Sequence, residues 1–313
     1  MSIQNRTIEG RRKTLLNGIV NIDKPMGITS MDIVRRVKRA SLQKRVGHGG
    51  TLDPLATGVI PISLGQATRM MEYLISGTKE YRAEIVLGVE TNTYDALGKV
   101  VSTSRVPPQT SETLTQTVNC FVGNINQVPP MYSALKHKGK RLYELARSGI
   151  EVGRDPRKVK VFSISVLRWN PPHLALKVIC GRGFYMRSLA HDLGELLKCG
   201  GHLSKLVRTR SGSFDIKSAI SLPEAEERFA TDSWPEILHP VDSAVPDMQA
   251  ATVDQHTENM LLNGQTISEG ITIPDPHPGT QCRVYSLDGT FLAILSFNMT
   301  SHSWKPHRVF SLR

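Results

Sequence analysis

The stretch that organises this sequence is GHGGTLDPLATG, residues 47–58. It places four glycines, a histidine and a proline around a single acid, Asp53. A phosphate-binding loop requires G-x-x-x-x-G-K-[ST] and a dinucleotide-binding loop requires G-x-G-x-x-G, and neither pattern occurs here. Pro54 favours an extended conformation of Asp53. We therefore interpret the stretch as a loop that presents one carboxylate, with glycines that let something bulky approach closely.

Charge is distributed unevenly along the 313 residues. The net charge is +11, yet residues 251–313 hold 4 basic and 5 acidic residues, which leaves 35 against 23 in the first 250. Such a bias is typical of a polyanion partner. RNA fits better than duplex DNA, because no helix-turn-helix, zinc finger or basic zipper is visible. The basic runs lie at residues 35–39, 43–45, 136–141, 154–160 and 205–210.

The cysteines indicate a reducing environment, because the four of them lie far apart without paired spacing. Cys180, His191, Cys199 and His202 fall within 23 residues, but only the last two have a zinc-like spacing. We therefore predict no metal site. No apolar run approaches the length of a membrane span, and the apolar start is cut too soon for a signal peptide. These features predict a cytoplasmic protein.

Periodic patterns predict a mixture of helices and strands. Thr29 and Asp32 resemble a capping box before the helical segment MDIVRRVKRA. The alternation in YRAEIVLG predicts a half-buried strand with Tyr81 on its inner side. Because no regular βαβ rhythm appears, we expect an α+β fold with a mixed α/β catalytic domain rather than a doubly wound sheet. Further helices are predicted at residues 67–75, 113–122, 141–148 and within 181–198, and a further strand at 174–180.

A change in composition predicts two domains. Residues 221–250 are acidic and proline-rich, and the β-like runs QTISEGITI, CRVYSL and GTFLAILSF follow, with turns at 263–264 and 288–289. We therefore predict a large first domain over residues 1–248 and a small β-rich domain over residues 249–313.

The residues alone leave two interpretations of Asp53. A turn aspartate that binds nearby backbone is the more common outcome for an isolated Asp-Pro pair. The crowded glycines, the neighbouring His48 and the lack of a competing nucleophile motif favour an essential acid. On the same basis Arg187 is a surface cation at a helix start, and Tyr81 is an ordinary strand aromatic.

Six segments, in chain order, closely resemble those of the tRNA pseudouridine-55 synthases of the TruB class. The resemblance runs from about residue 16 to 215. It continues more weakly through LLNGQTI and WKPHRVF, which look like the small PUA-type domain of bacterial members. The segments are NIDKPMGITS, GHGGTLDPLATGVIPISLGQATR, KEYRAEIVLG, VPPMYSALKHKGKRLYELAR, GRGFYMRSLAHDLG and GGHLSKLVRTRSGSF.

The resemblance implies that uridine 55 in the T-loop of tRNA is isomerised by breaking N1–C1′ and forming C5–C1′, without cofactor or metal. It implies that Asp53 is the catalytic aspartate, which attacks C1′ or C6 or assists a glycal-type route. Arg187 aligns with the arginine that pairs with this aspartate. Tyr81 aligns with the tyrosine that stacks on uracil and is a candidate for the C5 proton transfer. The implied substrate-binding and RNA-binding residues are His48, Gly50, Thr51, Leu52, Leu206, Lys24 and Arg208.

Some of these residues have an implied role of their own. His48 fills space near the vacated base position after base flipping, and Leu206 lines the pocket. Lys24 belongs to a KPxG motif whose role is mainly structural. Two departures from the family pattern, RGFY at residues 182–185 and Ser213 in place of a proline, touch none of the catalytic residues.

The implied partner is the T-arm of tRNA, bound by a monomer without a membrane or an obligatory protein partner. Two alternatives stay open. One is a guide-RNA-dependent synthase that works with protein partners, and the other is a non-catalytic RNA chaperone. The segment MYSALKHKGKRLYE and the small terminal domain favour the stand-alone enzyme over the first. The intact set of Asp53, Tyr81 and Arg187 argues against the second.

Overall fold

The computed structural model describes residues 14–312. Within this range, none of the helices combines the length and the apolar character needed to cross a bilayer. The strands are β1 Gly18–Lys24, β2 Val46–His48, β3 Thr57–Leu64, β4 Lys79–Leu87, β5 Val89–Thr91, β6 Val100–Thr103, β7 Gly123–Gln127, β8 Lys136–His137, β9 Lys140–Arg141, β10 Arg157–Asn170, β11 His173–Cys180, β12 Gly201–Ser211, β13 Phe214–Asp215, β14 Ile220–Ser221, β15 Ala250–Val253, β16 Gln281–Ser286, β17 Phe291–Asn298 and β18 Ser303–Val309. The helices are α1 Ser30–Ala40, α2 Met71–Ser76, α3 Ser111–Asn119, α4 Leu142–Arg147, α5 Met186–Leu196, α6 Leu222–Ala230 and α7 Gln255–Leu262.

A large mixed sheet forms the body of the protein. Its described strands follow the order β14-β1-β3-β12-β4-β11-β10-β7, with β2 paired to β3 and β13 paired to β12. The pairs β1–β14 and β3–β12 are parallel, whereas β1–β3, β12–β4 and β4–β11 are antiparallel. The mixed directions confirm the predicted α+β class with a mixed α/β body.

Local sequence signals explain several elements of this body. Thr29 and Asp32 form the predicted capping box of α1, each side chain bonding the other's backbone N–H. The helix then buries Ile33, Val34 and Val37 on one face. Strand β4 alternates between buried and partly exposed residues as predicted, with Tyr81 on the buried side.

Other elements differ from the prediction for identifiable reasons. The helix predicted at 113–122 begins earlier, at Ser111, because Thr110 caps it. Residues 67–75 are not one α-helix, because a 3-10 segment, Gly65–Met70, precedes α2. The strand predicted in QTISEGITI is wrong, since residues 265–274 make only an isolated bridge at Ile267. Asp254 instead caps α7, a helix that the sequence did not predict.

The last strands form a second, four-stranded sheet, β15-β16-β17-β18, which confirms a β-rich unit at the C-terminal end. This unit has its own apolar cluster around Val284 and Trp304. A further cluster joins it to the main body, because Phe291, Ile294 and Phe310 pack with Ile19, Val59 and Met70. The two sheets are therefore connected by a shared core, which includes Val59 of β3, the strand that follows the loop of Asp53.

Candidate active site

Asp53 lies in the loop between β2 and β3, and neighbouring elements fix that loop. The Gly49 amide donates to the Pro61 carbonyl at 2.8 Å. The hydroxyl of Ser30, the first residue of α1, accepts from the Leu52 amide at 2.8 Å and donates to the Leu52 carbonyl at 3.0 Å. The buried Leu52, next to Asp53, is thus held through both its amide N–H and its carbonyl.

The glycines of the loop let the protein's own elements approach. A Cβ at Gly49 would lie 2.8 Å from the Cβ of Leu74 in α2, which is closer than side chains pack. Gly58 has a φ of +99°, and a Cβ there would collide with the Arg208 carbonyl of β12. At these two positions the close approach predicted from the sequence is made by α2 and β12.

Asp53 forms a bidentate ion pair with Arg187, from the first turn of α5. Nε of Arg187 donates to Oδ2 of Asp53 at 2.8 Å, and Nη2 donates to Oδ1 at 3.0 Å. The Arg187 side chain is 4% exposed, whereas the Asp53 side chain is 36% exposed. The carboxylate therefore remains accessible while a buried guanidinium fixes its orientation, and Arg187 is not the surface cation that its position alone suggested.

Further contacts fix Arg187 itself. Nη2 also donates to the Tyr132 carbonyl at 2.8 Å, and Nη1 donates to the Thr93 carbonyl at 3.3 Å. Asp95 is buried, and its Oδ2 lies 3.7 Å from Nε of Arg187. Its Oδ1 accepts from the Thr93 hydroxyl at 2.6 Å. The sequence reasoning missed Asp95, because TYDALG is typical of a turn aspartate and only the fold brings it to Arg187.

Tyr81 and Leu206 lie on the neighbouring strands β4 and β12, in the same apolar cluster as Leu52. In the antiparallel register, Tyr81 is opposite Arg208. Burial raises the pKa of the Tyr81 phenol, and the charge of Arg208 opposes part of that rise. The phenol is therefore neutral at pH 7 and retains its O–H donor.

Two cations predicted to contact substrate or RNA, Lys24 and Arg208, lie in the interior. Nζ of Lys24 donates to the carbonyls of Ala56 at 2.7 Å and Pro25 at 2.9 Å. Burial lowers the pKa of Lys24 to about 8. The lysine thus ties the end of β1 to the loop of Asp53.

His48, the last residue of β2, is partly buried. Nδ1 of His48 accepts from the Gly50 amide at 3.3 Å. Burial, together with the nearby Arg208, lowers the pKa of His48, so the imidazole is neutral at pH 7. Thr51 is exposed beside it.

Tyr185 is a second phenol near Asp53 that the sequence reasoning did not assign. It precedes α5, and Gln127 holds its backbone in both directions, at 2.8 Å to the amide and 3.0 Å to the carbonyl. Burial raises the pKa of Tyr185, and the charge of Asp53 raises it further. A second neutral O–H donor therefore lies within electrostatic reach of the carboxylate.

A basic hairpin made of β8 and β9 follows Tyr132 in the chain. Its strands carry three exposed cations, Lys136, Lys140 and Arg141. Backbone bonds close its base, from the Leu142 amide to the Leu135 carbonyl at 2.8 Å. The segment before the hairpin supplies the Tyr132 carbonyl that accepts from Arg187. The exposed cations of the hairpin therefore follow, a few residues along the chain, a group that contacts the ion pair.

A group of side chains with metal-ligand geometry lies between α5 and β5. Among residues 14–312, Glu90, His191 and Glu195 each bring one ligand atom within 4.8 Å of the others. The His191 ring stacks on Tyr94 with a centroid distance of 3.9 Å. Of the cysteines and histidines weighed for zinc, His191 alone belongs to this group. Burial raises the pKa of Cys180 to about 12, which is typical of an unreactive thiol.

Comparisons with known proteins agree with this geometry. The family described as TruB family pseudouridylate synthase (N terminal domain) matches residues 38–186. The tRNA pseudouridylate synthase B C-terminal domain matches residues 187–246. The tRNA pseudouridine synthase B of Dehalococcoides mccartyi is 43% identical over 296 residues, which cover 94% of this chain and 97% of that protein.

Solved structures share the fold. A chain of a Cbf5-Nop10-Gar1 complex is 27% identical and superimposes with a TM-score of 0.74, over 94% of this chain and 85% of that one. A chain of an H/ACA RNP bound to a substrate RNA containing 2′-deoxyuridine is 25% identical, with a TM-score of 0.72, over 95% of this chain and 86% of that one.

Proposed function

Because this chain belongs to the TruB family of pseudouridylate synthases, we propose that it converts uridine to pseudouridine at position 55, in the T-loop of tRNA. The chain is a pseudouridine synthase, an isomerase that acts on uridine in tRNA.

The observation that carries the proposal is the bidentate pair between the accessible Asp53 and the buried Arg187. A carboxylate that is oriented and open to solvent is suited to act as a nucleophile. The guanidinium supplies the orientation, because its own position is fixed by two carbonyls and Asp95. We therefore assign the essential acid to Asp53 and its orientation to Arg187.

The reaction requires a group that holds an intermediate while the base turns. The N1–C1′ bond breaks, the C5–C1′ bond forms, the proton on C5 leaves, and N1 gains a proton. No electrons are gained or lost, so we propose that no cofactor takes part. Asp53 attacks C1′ or C6, or it assists a glycal-type route, and each of these uses the same accessible carboxylate.

The other predicted residues have roles around the flipped uridine. Tyr81 stacks on the uracil and serves in the proton transfer from C5, with Leu206 lining the same pocket. His48 occupies space near the position that the base vacates, and its neutral imidazole adds no charge there. Flipping a base costs a few kcal/mol, and these contacts offset part of that cost.

We propose that the T-arm of tRNA is the partner and that the protein acts as a monomer without an obligatory protein partner. The higher identity to a tRNA pseudouridine synthase B than to the Cbf5 chain favours this over a guide-dependent particle. The catalytic domain is assigned to residues 1–248. Residues 249–313 are assigned to a PUA-like domain that tunes the affinity for tRNA.

Tritium release from tRNA transcript labelled at uridine C5 tests the proposal, with wild-type protein alone and with Asp53→Asn beside it. We expect release from one uridine per tRNA with wild type and none with Asp53→Asn, which should still bind tRNA within about threefold of wild type. A silent wild type that binds tRNA tightly would instead indicate a guide-dependent enzyme or an RNA chaperone. Much weaker tRNA binding by Asp53→Asn would contradict the separation of catalysis from affinity.

A further inference from the structure

Arg208 of β12 is a fully buried arginine without an acidic partner. It is 1% exposed and is among the largest buried side chains of the protein. Within residues 14–312, no carboxylate forms an ion pair with its guanidinium, in contrast to Arg187, which has Asp53 and Asp95. A buried charge without a counter-ion is costly unless hydrogen bonds satisfy it. The hydrogen-bond acceptors of the Arg208 guanidinium therefore indicate which part of the protein this side chain holds in place.

The Arg208 guanidinium bonds backbone carbonyls on both sides of the loop of Asp53, and it also forms a side-chain hydrogen bond with Tyr81. Nε donates to the Val59 carbonyl in β3 at 2.7 Å. Nη2 donates to the Gly50 carbonyl at 3.1 Å, and Nη1 lies 3.5 Å from the Thr51 carbonyl. One planar guanidinium thus joins the segment that leads into Asp53 to the strand that leads out of it.

The backbone of Arg208 reinforces this arrangement. Strands β12 and β3 are parallel here, with Arg208 in register with Gly58. Because Gly58 has no Cβ, the Arg208 backbone packs directly against the outgoing limb. On its other side, Arg208 is opposite Tyr81 in β4. The residue therefore lies between the limb that carries the nucleophile and the ring proposed to stack on uracil.

We propose that Arg208 is a positioning residue that sets the distance and orientation of Asp53 relative to Tyr81, rather than a contact to an RNA phosphate. This inference rests on the proposed function. A point charge cannot replace the guanidinium, because its three nitrogens each face a different carbonyl and only a planar fork addresses all three together. With the fork removed, the limb at residues 50–52 loses its anchor to β12 while Arg187 still holds the carboxylate.

Arg208→Met and Arg208→Lys test the proposal through turnover, tRNA affinity and the salt dependence of that affinity. A misplacement of about 1 Å can cost about 10²-fold in rate, so we expect kcat for Arg208→Met to fall by about that factor. Arg208→Lys should fall less, because one ammonium retains one or two of the carbonyl bonds. The Kd for tRNA should stay within about threefold of wild type for both variants.

The salt dependence separates positioning from phosphate contact. Loss of one phosphate contact lowers the slope of log K against log salt by roughly one, whereas loss of an interior anchor leaves the slope unchanged. Arg210→Met is the matched control, because Arg210 is exposed on the same strand and belongs to the same basic run. Its effect should appear in the affinity and in the slope, and its effect on kcat should be smaller than that of Arg208→Met.

Three results would overturn the inference. One is a folded Arg208→Met or Arg208→Lys variant with wild-type kcat. Another is a loss confined to affinity, with a slope lowered by about one. The third is a loss of kcat as large in Arg210→Met as in Arg208→Met. Thermal melting shows whether each variant is folded. If Arg208→Met does not fold, the kcat of Arg208→Lys tests the inference. Wild-type protein without activity would refute the proposed function, and this outcome is distinguishable from the three results above because they compare variants with an active wild type.

Discussion

Replacing Arg187 with methionine should destabilise the protein by leaving two carboxylates without their counter-ion. Asp53 is 36% exposed, so water screens its charge and its share is small. Asp95 is buried, and its Oδ2 lies 3.7 Å from Nε of Arg187. Breaking a buried ion pair from one side costs about 3–5 kcal/mol, and we expect about 3 kcal/mol because one of the two acids is partly hydrated.

Thermal melting and single-turnover tritium release measure this prediction. At about 2–4 °C per kcal/mol, the Tm of Arg187→Met should fall by about 6–12 °C. The rate should fall by about 10²-fold or more, because the carboxylate loses its orientation. Arg182→Met is the control, since Arg182 is exposed in the turn before α5, and its stability should change by less than about 0.5 kcal/mol.

A second substitution tests the physical reason. If the cost comes from an uncompensated charge on Asp95, then adding Asp95→Asn to Arg187→Met should recover about 1–2 kcal/mol, because the amide keeps the shape without the charge. Asp95→Asn alone should destabilise the protein, because the buried guanidinium of Arg187 then loses one of its two carboxylate partners. Additive losses in the double variant would refute the assignment of the cost to charge and would point to lost packing instead.

Three further predictions concern the frame of the site. The pKa of Lys24 is lowered from 10.5 to about 8 in the folded protein, so between these pH values the unfolded chain binds more protons and the free energy of unfolding rises with pH. Lys24→Met should reduce that rise in denaturation measured as a function of pH. Parallel stability curves of wild type and Lys24→Met would contradict the prediction. Gly58→Ala should lower the free energy of unfolding in denaturant by about 2–5 kcal/mol, because the residue has a positive φ and the new Cβ would collide with the Arg208 carbonyl. A decrease below about 1 kcal/mol would be inconsistent with this packing. Phe310→Ala should cost about 3–5 kcal/mol and keep one unfolding transition, because Phe310 packs against Phe291 in the core shared by both sheets; two separated transitions would show that the sheets unfold independently.

Local signals were sufficient for the elements that depend on nearby residues. The capping box of Thr29 and Asp32 and the alternation around Tyr81 are complete within one turn or one strand, so the sequence displays them. The helix α7 and the irregular segment after it were not predicted. There the hydrophobic residues Ile267 and Ile273 are buried without forming a strand, so the alternation that suggested a strand reflects packing against the terminal sheet.

The site was predictable where a motif names its residues and was not predictable where only the fold assigns a role. Asp53 and Arg187 were placed together by resemblance, and the structure gives them a bidentate contact. Asp95 has no local signature, because its partner is far away in the sequence. Lys24 and Arg208 were implied by the resemblance as substrate-binding or RNA-binding residues, Lys24 with a mainly structural role, and only tertiary packing reveals that both are buried.

The positive charge of the first 250 residues therefore has two physical uses. Lys24, Lys79, Arg187 and Arg208 are buried and bonded to carbonyls or carboxylates of the protein, so they make no new phosphate contact when RNA docks. Counterion release depends on phosphates that the protein neutralises, so the salt slope should follow exposed cations such as those of residues 136–141. The net excess of 12 thus overstates the number of phosphate contacts. The interior cations instead hold the backbone and, in the case of Arg187, orient the one accessible carboxylate of the site.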